Sequence, residues 1–279
     1  GMTSNAALQK VRRLFNAAKA GHTGTLDPMA TGLLPVCFGE ATKFAGELLT
    51  ADKCYEAHVR LGVRTDTADA EGQVLETRPV AVSRPQVVAA MARFRGDILQ
   101  VPPMHSALKR GGRPLYEYAR KGIELERAPR AVTIHALELL AFSEDRIEFK
   151  VACSKGTYVR TLAQDIGEAL GCGAHLSALR RTRIGDLSLD AALTLDALQA
   201  MTPEARETLL LPVDALLAVL PRLDLDEDAA LRFRHGQSVP AGRNPVSDDG
   251  RLRIYGAGDR FIGLGRAGAD GRVMPLRLI

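Results

Sequence analysis

The chain has 279 residues, of which 46% are hydrophobic and 25% are charged, and its net charge is +4. These proportions are typical of a folded globular protein and exclude the collagen-like, low-complexity and disordered classes. No stretch approaches the roughly 20 apolar residues that cross a bilayer, and residues 1–14 lack the apolar block of a secretory signal. We therefore expect a cytoplasmic protein with one large and one small domain.

The first third of the chain predicts helices and strands around a glycine-containing loop. Apolar residues at helical spacing predict a helix over 5–18, and glycines with a proline predict a loop without regular structure over 21–32. A short strand is expected over 33–38. Alternating apolar and polar residues predict a half-buried strand over 54–61, and a second helix is expected over 83–95.

The rest of the chain mixes strands and helices without a strict βαβ alternation. We expect strands over 131–141, 145–153 and 176–188, a helix over 159–170, two short helices within 194–219, and a tail with one helix (227–235) and strands (251–256, 260–268 and 272–279). This order predicts an α+β protein whose mixed, largely antiparallel central sheet is flanked by helices. The tail predicts a small β-barrel-like domain over 222–279, after a larger domain over 1–221.

The cysteines do not predict a metal site. There are four, at positions 37, 54, 153 and 172, and none forms a CxxC pair. Cys172 and His175 have the spacing of half a ligand pair, but nothing completes the set. We expect buried free thiols, no metal and no cofactor.

Two segments carry candidate catalytic residues. The loop GHTGTLDP holds His22 and Asp27, although an Asp before Pro commonly serves only a turn. The segment CSKGTYVR places Lys155, Tyr158 and Arg160 where a strand gives way to a helix, a position that favours anions. A nucleophilic carboxylate must stay ionised, which an adjacent arginine favours, so Asp27 and Arg160 together predict such a pair.

Residues 104–130 concentrate the positive charge of the chain. This segment holds seven Lys/Arg and three Glu, so its excess of four equals that of the whole chain. Its arginines Arg110, Arg113 and Arg120 alternate with tyrosines, a pattern typical of a finger that grips RNA phosphates and stacks on bases. A solvated charged hairpin or helix is the structural alternative.

Several long blocks resemble the tRNA pseudouridine synthase B (TruB) family. They are GHTGTLDPMATGLLPVCFGEATKF, DKCYEA, RTDTADAEG, LYEYAR and CSKGTYVRTLAQDIGEALGCGAHLSALRR, in the family's order and over nearly the whole chain. The resemblance implies a pseudouridine synthase fold and the isomerisation of uridine 55 in the T loop of tRNA to pseudouridine. It also implies base flipping, no cofactor and no obligatory protein partner, so we expect a monomer that binds the T arm of tRNA.

The resemblance also implies roles for individual residues. Asp27 matches the essential aspartate, Arg160 the arginine that pairs with it, and Tyr55 the tyrosine that stacks on the target uracil. Pocket-lining or supporting roles fall to a further set: Tyr158, Leu179, Lys155, and Arg180 or Arg181. His22 matches a histidine that fills the space left by flipped nucleotides, with a steric and stacking role.

The same resemblance assigns two RNA-binding regions. Residues 104–130 match an insertion that closes on the T arm, and the tail from about 222 corresponds to a PUA-like domain. Family members begin with an apolar strand and a Lys-Pro dipeptide, whereas this chain starts at Gly1-Met2-Thr3-Ser4; loss of that strand would leave a sheet edge unpaired.

Two other functions remain open at this stage. A guide-RNA-dependent pseudouridine synthase would share the aspartate signature but act with partner proteins. An RNA-binding or tRNA-folding helper would have only secondary catalysis, which the intact Asp27, Tyr55 and Arg160 disfavour.

Overall fold

The structure is a computed structural model that describes residues 1–242 and 247–279. Positions 243–246 of the predicted tail domain lie outside the described residues. The chain divides into two compact units, each built from several segments. The first comprises Gly1–Ser4, Thr25–Leu34 and Thr50–Ala192, and the second comprises Asn5–Gly24, Pro35–Leu49 and Leu193–Ile279. The domain boundary expected at residue 221 stays a prediction.

The described residues form eight α-helices, with short 3-10 turns between some of them. In chain order the helices are α1 (Ser4–Leu14), α2 (Ala45–Thr50), α3 (Arg84–Ala92), α4 (Leu115–Ala119), α5 (Val159–Ala169), α6 (Leu195–Ala200), α7 (Pro203–Glu207) and α8 (Glu227–Arg234).

The described residues also form eighteen β-strands. They are β1 (Ala20–His22), β2 (Thr31–Gly32), β3 (Val36–Phe38), β4 (Lys53–Leu61), β5 (Val63–Thr65), β6 (Val74–Thr77), β7 (Gly96–Gln100), β8 (Lys109–Arg110), β9 (Arg113–Pro114), β10 (Arg130–Ser143), β11 (Arg146–Cys153), β12 (Ala174–Ile184), β13 (Leu187–Ser188), β14 (Arg222–Asp224), β15 (Val239–Pro240), β16 (Arg251–Gly256), β17 (Arg260–Ala267) and β18 (Arg272–Leu278).

A seven-stranded sheet organises the first unit. Its strands run in the order β13-β12-β4-β11-β10-β7, and β2 pairs with β12 off that path. All these pairings are antiparallel except that of β2 with β12. The sequence prediction of an α+β fold with a largely antiparallel central sheet is therefore confirmed.

One face of this sheet is buried beneath α5. Along β4, Ala57, Val59 and Leu61 are buried, whereas His58 between them is exposed, as the alternating sequence predicts. Helix α5 packs Leu162 and Ile166 into the same core, which β11 and β12 also line. The first turn of α5 is thereby fixed over the centre of the sheet, where Arg160 is placed.

The second unit contains a five-stranded sheet of the order β14-β16-β17-β18-β15. Its neighbours are antiparallel except β14 and β16, which are parallel. Helix α8 supplies Ala229, Ala230 and Phe233 to the core of this sheet. The predicted tail helix and its three main strands are thus present, and the short strands β14 and β15 are additional.

The loop around the candidate aspartate is more regular than its composition indicates. The prediction of no regular structure over 21–32 is wrong at both ends, because His22 closes β1 and Thr31–Gly32 forms β2. Helix α1 ends at Leu14, four residues before the predicted end; Asn16 just beyond it adopts a left-handed backbone conformation with φ of 45°.

Candidate active site

Asp27 lies on a segment whose backbone is held from both sides. On one side, the Leu26 amide donates to Ser4 Oγ (2.9 Å). On the other, β2 pairs with Arg180 and Arg181 of β12, and a Cβ at Gly32 would lie only 2.3 Å from the Arg181 carbonyl oxygen. Only glycine permits so close an approach, and its φ of 98° agrees with this requirement. The segment therefore has little freedom to move.

The carboxylate of Asp27 meets the guanidinium of Arg160 in a two-point pair. Arg160 Nε lies 2.9 Å from Asp27 Oδ2, and Arg160 Nη2 donates to Asp27 Oδ1 over 3.1 Å. The Arg160 side chain is 4% exposed and that of Asp27 is 34% exposed. Two parallel hydrogen bonds fix the plane of the carboxylate, while its partial exposure leaves it open to a ligand.

The other N–H groups of Arg160 are held by three further acceptors. Nη2 donates to the His105 carbonyl (2.7 Å), Nη1 donates to the Thr67 carbonyl (3.1 Å), and Nη1 lies 3.5 Å from Asp69 Oδ2. Because every nitrogen of the guanidinium has an acceptor, its orientation toward Asp27 is determined by its surroundings rather than by its own rotamer preference.

Asp69 brings a second buried carboxylate to the same arginine. Its side chain is 6% exposed, Thr67 Oγ1 donates to its Oδ1 (2.6 Å), and the Glu71 amide donates to the same oxygen (3.0 Å). The Leu176 amide of β12 donates to the Ala68 carbonyl (3.0 Å), which ties this loop to the sheet. Two carboxylates thus share one buried guanidinium.

Burial and the neighbouring charges shift the pKa of Asp27 in opposite directions. Burial raises the pKa of Asp27 above its ordinary value, the charge of Arg160 lowers that pKa, and the charge of Asp69 raises it. The result is a carboxylate more basic than a solvated one. Such a group suits attack on an electrophilic carbon, or stabilisation of a nearby cation, at neutral pH.

A ring of four charges joins the hairpin β5–β6 to α5. Arg64 pairs with Glu76 (3.2 Å) and Glu168 (2.8 Å), and Arg78 pairs with the same two carboxylates (2.7 and 2.9 Å). The hairpin carries Asp69 in its loop, and α5 carries Arg160 in its first turn. The ring therefore joins the two elements that bring Asp69 to Arg160.

Tyr55 and Arg181 form a second buried pair beside Asp27. They are Cα partners on β4 and β12, and Arg181 is 1% exposed. Burial raises the pKa of the Tyr55 hydroxyl, whereas the charge of Arg181 and its hydrogen bond to Tyr55 lower that pKa. The negative charge of Asp27 acts on the same hydroxyl. The sequence does not distinguish Arg181 from Arg180; the structure buries Arg181 and leaves Arg180 exposed.

Tyr158 and Leu179 fall close to this group, and Lys155 is placed at the surface. Tyr158 immediately precedes α5, and burial raises the pKa of its hydroxyl, which the charges of Arg160 and Asp27 also reach. Leu179 is buried in the core beside Tyr55 and pairs with Ala57. Lys155 is exposed in the turn after β11.

His22 belongs to the second unit, whereas the cluster around Asp27 belongs to the first. His22 ends β1 and is the Cα partner of Val36 in β3. Its predicted role toward flipped nucleotides stays a prediction.

The basic segment 104–130 folds as a small hairpin followed by α4. Arg110 and Arg113 are Cα partners across β8 and β9, and Tyr118 Oη donates to the Arg110 carbonyl (3.2 Å). The Arg120 guanidinium lies 5.3 Å from the centre of the Tyr116 ring. All three arginines are exposed, so their charges are available to an external anion.

Sequence reasoning missed Asp69, Thr67 and His105 as parts of this cluster. The block RTDTADAEG carries the family resemblance as a whole, and its residue types do not single out Asp69. Thr67 and His105 bind Arg160 through their backbone carbonyls, which carry no side-chain signature. The described residues contain no group of three or more metal-binding side chains. His175 Nδ1 instead bonds the Val63 carbonyl (2.9 Å).

Three family models together match most of the chain. They are described as "TruB family pseudouridylate synthase (N terminal domain)" over residues 12–159, "tRNA pseudouridylate synthase B C-terminal domain" over 160–218, and "Pseudouridine synthase II TruB, C-terminal" over 221–279. The residues of the Asp27–Arg160 cluster fall within the first two.

Curated relatives and solved structures agree with these matches. The chain is 58% identical to a Burkholderia mallei protein named tRNA pseudouridine synthase B, covering 100% of this chain and 93% of that one. It is 59% identical to the protein of that name from Dechloromonas aromatica, covering 100% and 92%. A crystal structure of a Cbf5-Nop10-Gar1 complex matches with a TM-score of 0.72 and 28% identity, over 96% of this chain and 75% of that one.

Within the described residues, no helix has the length and hydrophobicity to cross a membrane.

Proposed function

The chain belongs to the TruB family of pseudouridine synthases, and from that premise we propose that it converts uridine 55 in the T loop of tRNA to pseudouridine, with Asp27 as the catalytic carboxylate. The observation that carries the proposal is the two-point pair between Asp27 and Arg160. It presents an oriented, partly exposed carboxylate beside a buried cation, which an isomerisation at C1′ requires.

The reaction rearranges bonds within one nucleotide. The N1–C1′ bond breaks, the freed uracil turns, C5 bonds to C1′, and the proton on C5 leaves while a proton returns to N1. Asp27 serves this sequence by adding to the uracil ring or by capturing the sugar cation at C1′; both routes fit the same carboxylate. Water must be kept away, because it would trap the same intermediate and release the base.

Arg160 acts on the carboxylate rather than on the substrate. Its position favours the ionised form of Asp27, and its bonds to the Thr67 and His105 carbonyls keep the pair in place while the uracil turns. Tyr55 offers a ring face for stacking, and we assign to its hydroxyl, which the charge of Asp27 reaches, a part in proton removal from C5. Tyr158 and Leu179 supply walls, and Arg181 holds the Tyr55 hydroxyl.

The target base must leave its stack before Asp27 can reach C1′. Extrusion of a nucleotide costs a few kcal/mol, and a side chain that fills the gap offsets part of that cost. We assign this filling role to His22. The exposed arginines of residues 104–130 would grip the T arm, and the PUA-like tail from 222 would contact RNA near the acceptor end.

The central test measures isomerisation on an unmodified tRNA transcript. Wild-type protein should release tritium from C5-labelled uridine and place pseudouridine at position 55, and a transcript with cytidine there should give no product. Asp27→Ala should abolish tritium release while tRNA binding stays within several-fold. Retained release by Asp27→Ala would overturn the catalytic assignment.

The same assay separates a stand-alone enzyme from a guide-dependent one. We propose that the purified protein acts in the cytoplasm as a monomer without partner proteins; the match over its whole length to curated relatives named tRNA pseudouridine synthase B supports tRNA as its substrate. Product formed by purified protein and tRNA transcript alone is the expected result. A requirement for added guide RNA or protein would reject the stand-alone proposal.

The basic segment has its own test. Replacing Arg110, Arg113 and Arg120 with Gln should weaken tRNA binding and reduce the slope of log Kd against log salt by about one for each phosphate that is no longer neutralised. Exposed Arg146, the first residue of β11, gives the matched control Arg146→Gln. A salt slope equal to that of this control would mean that the segment does not touch phosphates.

A further inference from the structure

Gln100 is a buried polar residue at the end of the edge strand β7. It is 2% exposed, although its side chain is an uncharged amide that would be well solvated at a surface. Its Cα partner in the sheet is Arg130 of β10, so its main chain is already used in strand pairing. The burial of the side-chain amide therefore needs a separate explanation.

Both polar atoms of the Gln100 side chain bind the backbone of one residue. Its Nε2 donates to the Tyr158 carbonyl (3.3 Å), and its Oε1 accepts from the Tyr158 amide (3.0 Å). Tyr158 is the N-cap residue of α5, and its own side chain makes no capping hydrogen bond. By accepting from the N-cap amide, Gln100 performs from another strand the role that the N3 Glu or Gln of a capping box performs within a helix.

The clamped backbone lies two residues before Arg160. Rotation or translation of the first turn of α5 would move the guanidinium relative to Asp27, since Tyr158 leads directly into the turn that carries Arg160. Gln100 also precedes the segment whose His105 carbonyl accepts from Arg160. Gln100 therefore adjoins two supports of the Asp27–Arg160 pair: the first turn of α5, and the segment that carries the His105 carbonyl.

We propose that Gln100 is a positioning residue for the isomerisation: its amide fixes the start of α5, and thereby sets the geometry in which Arg160 presents Asp27 to the nucleotide. This inference rests on the catalytic roles proposed for Asp27 and Arg160. It assigns Gln100 an effect on the rate of the chemical step and none on tRNA recognition.

The first variant removes the hydrogen bonds and keeps the volume. Gln100→Met should lower the single-turnover rate by about 10- to 100-fold, the scale expected when reacting groups are displaced by up to 1 Å. The Kd for tRNA should stay within about threefold. A rate within about threefold of wild type would overturn the proposal, as would an effect confined to tRNA binding.

A second variant gives a readout that a merely structural role would not move. In Gln100→Glu, the introduced carboxyl accepts from the Tyr158 amide in either state, but donates to the Tyr158 carbonyl only when protonated. The single-turnover rate relative to wild type should therefore rise as pH falls. A relative rate independent of pH would overturn the proposal, and this series remains decisive if Gln100→Met does not fold.

Two controls separate this inference from stability and from the proposed function. Val87→Ala removes two methyl groups from a fully buried side chain of α3 in the same unit, which makes no hydrogen bond to the Asp27–Arg160 pair, and should leave the rate of the folded enzyme within about twofold. An equal rate loss in this control would attribute the effect of Gln100→Met to stability and overturn the proposal. Inactive Asp27→Ala beside a fully active Gln100→Met would overturn the role of Gln100 alone, whereas active Asp27→Ala would overturn the proposed function.

Discussion

In each unit of the molecule an aspartate pairs with an arginine, and the two clusters differ in how much of the carboxylate is exposed. In the second unit, Arg253 Nη1 donates to Asp214 Oδ2 (3.0 Å), the Tyr255 hydroxyl donates to the same oxygen, and the Asp214 side chain is 10% exposed. In the first unit, Asp27 pairs with Arg160 and is more than three times as exposed.

The difference separates a structural ion pair from a carboxylate that is still accessible to a ligand. Asp214 is enclosed by its partners, and the Arg253 Nε also holds the Leu220 carbonyl (3.0 Å), so the cluster links the segment before β14 to the sheet that follows. Asp27 keeps an open side, and Asp69 competes for its arginine. A buried ion pair indicates catalysis only when one partner retains capacity for a further ligand.

The sharpest test exchanges each aspartate for asparagine. Asp27→Asn should lower the single-turnover rate by at least about 10³-fold, because an amide cannot act as the nucleophile, while the unfolding free energy changes little. Asp214→Asn should lower the unfolding free energy by about 3 kcal/mol, because it leaves the half-buried Arg253 without its negatively charged partner. Its rate per folded molecule should remain close to wild type.

Both outcomes are measured by single-turnover kinetics and chemical denaturation on the same preparations. The small stability effect at Asp27 follows from the sign of its pKa shift. A folded-state pKa above the unfolded one gives stability at low pH that is lost as pH rises through the folded pKa. Removing the carboxyl group at neutral pH therefore lowers the unfolding free energy only slightly. A large loss of stability in Asp27→Asn would break the comparison.

Asp69→Asn probes the competition for Arg160. The negative charge of Asp69 raises the pKa of Asp27, and the role proposed for Asp27 requires its ionised form. The acid limb of the profile of kcat/KM against pH should therefore move to lower pH in Asp69→Asn. At neutral pH the rate should fall by about tenfold, roughly 1.4 kcal/mol of barrier, since Arg160 loses one of its supports. An acid limb moved to higher pH would contradict this account.

Tyr255→Phe has the smallest expected effect on the isomerisation rate. It removes a buried hydrogen bond to a charged acceptor and should reduce the unfolding free energy by about 1.5–3 kcal/mol. The T-shaped packing of its ring on Phe261 should persist. The isomerisation rate of the folded protein should be unchanged. A rate loss beyond about threefold would mean that the second cluster does more than join parts of its unit.

The sequence anticipated the parts of the site that depend on local pattern. Asp27 in its Pro-containing loop and Arg160 at a helix start are predicted as a pair, and the structure joins them. The alternation along 54–61 predicts the strand that carries Tyr55. These features follow from residue spacing and from the residue types in the resembling blocks, so they needed no tertiary information.

The remaining supports depend on distant pairings. Asp69 reaches Arg160 only because the Ala68 carbonyl accepts from Leu176, which lies about a hundred residues further along the chain. Gln100 has the sequence character of an ordinary polar residue in an edge strand, and its partner is a backbone group 58 positions later. Neither contact produces a periodic pattern in the sequence, so neither could be predicted without the folded structure.

The ring formed by Arg64, Glu76, Arg78 and Glu168 differs from the Asp27–Arg160 pair in its redundancy. Each of its charges has two partners, so substitution of either arginine leaves the other paired with Glu168 of α5, whereas substitution of Glu168 removes both ion pairs of the ring that reach α5. The two arginines lower the pKa of Glu76 to about 2, so Glu76 keeps its charge and its ion pairs with both arginines in mild acid. The attachment of the hairpin thus tolerates substitution of either arginine, and it depends on Glu168, the member that α5 contributes.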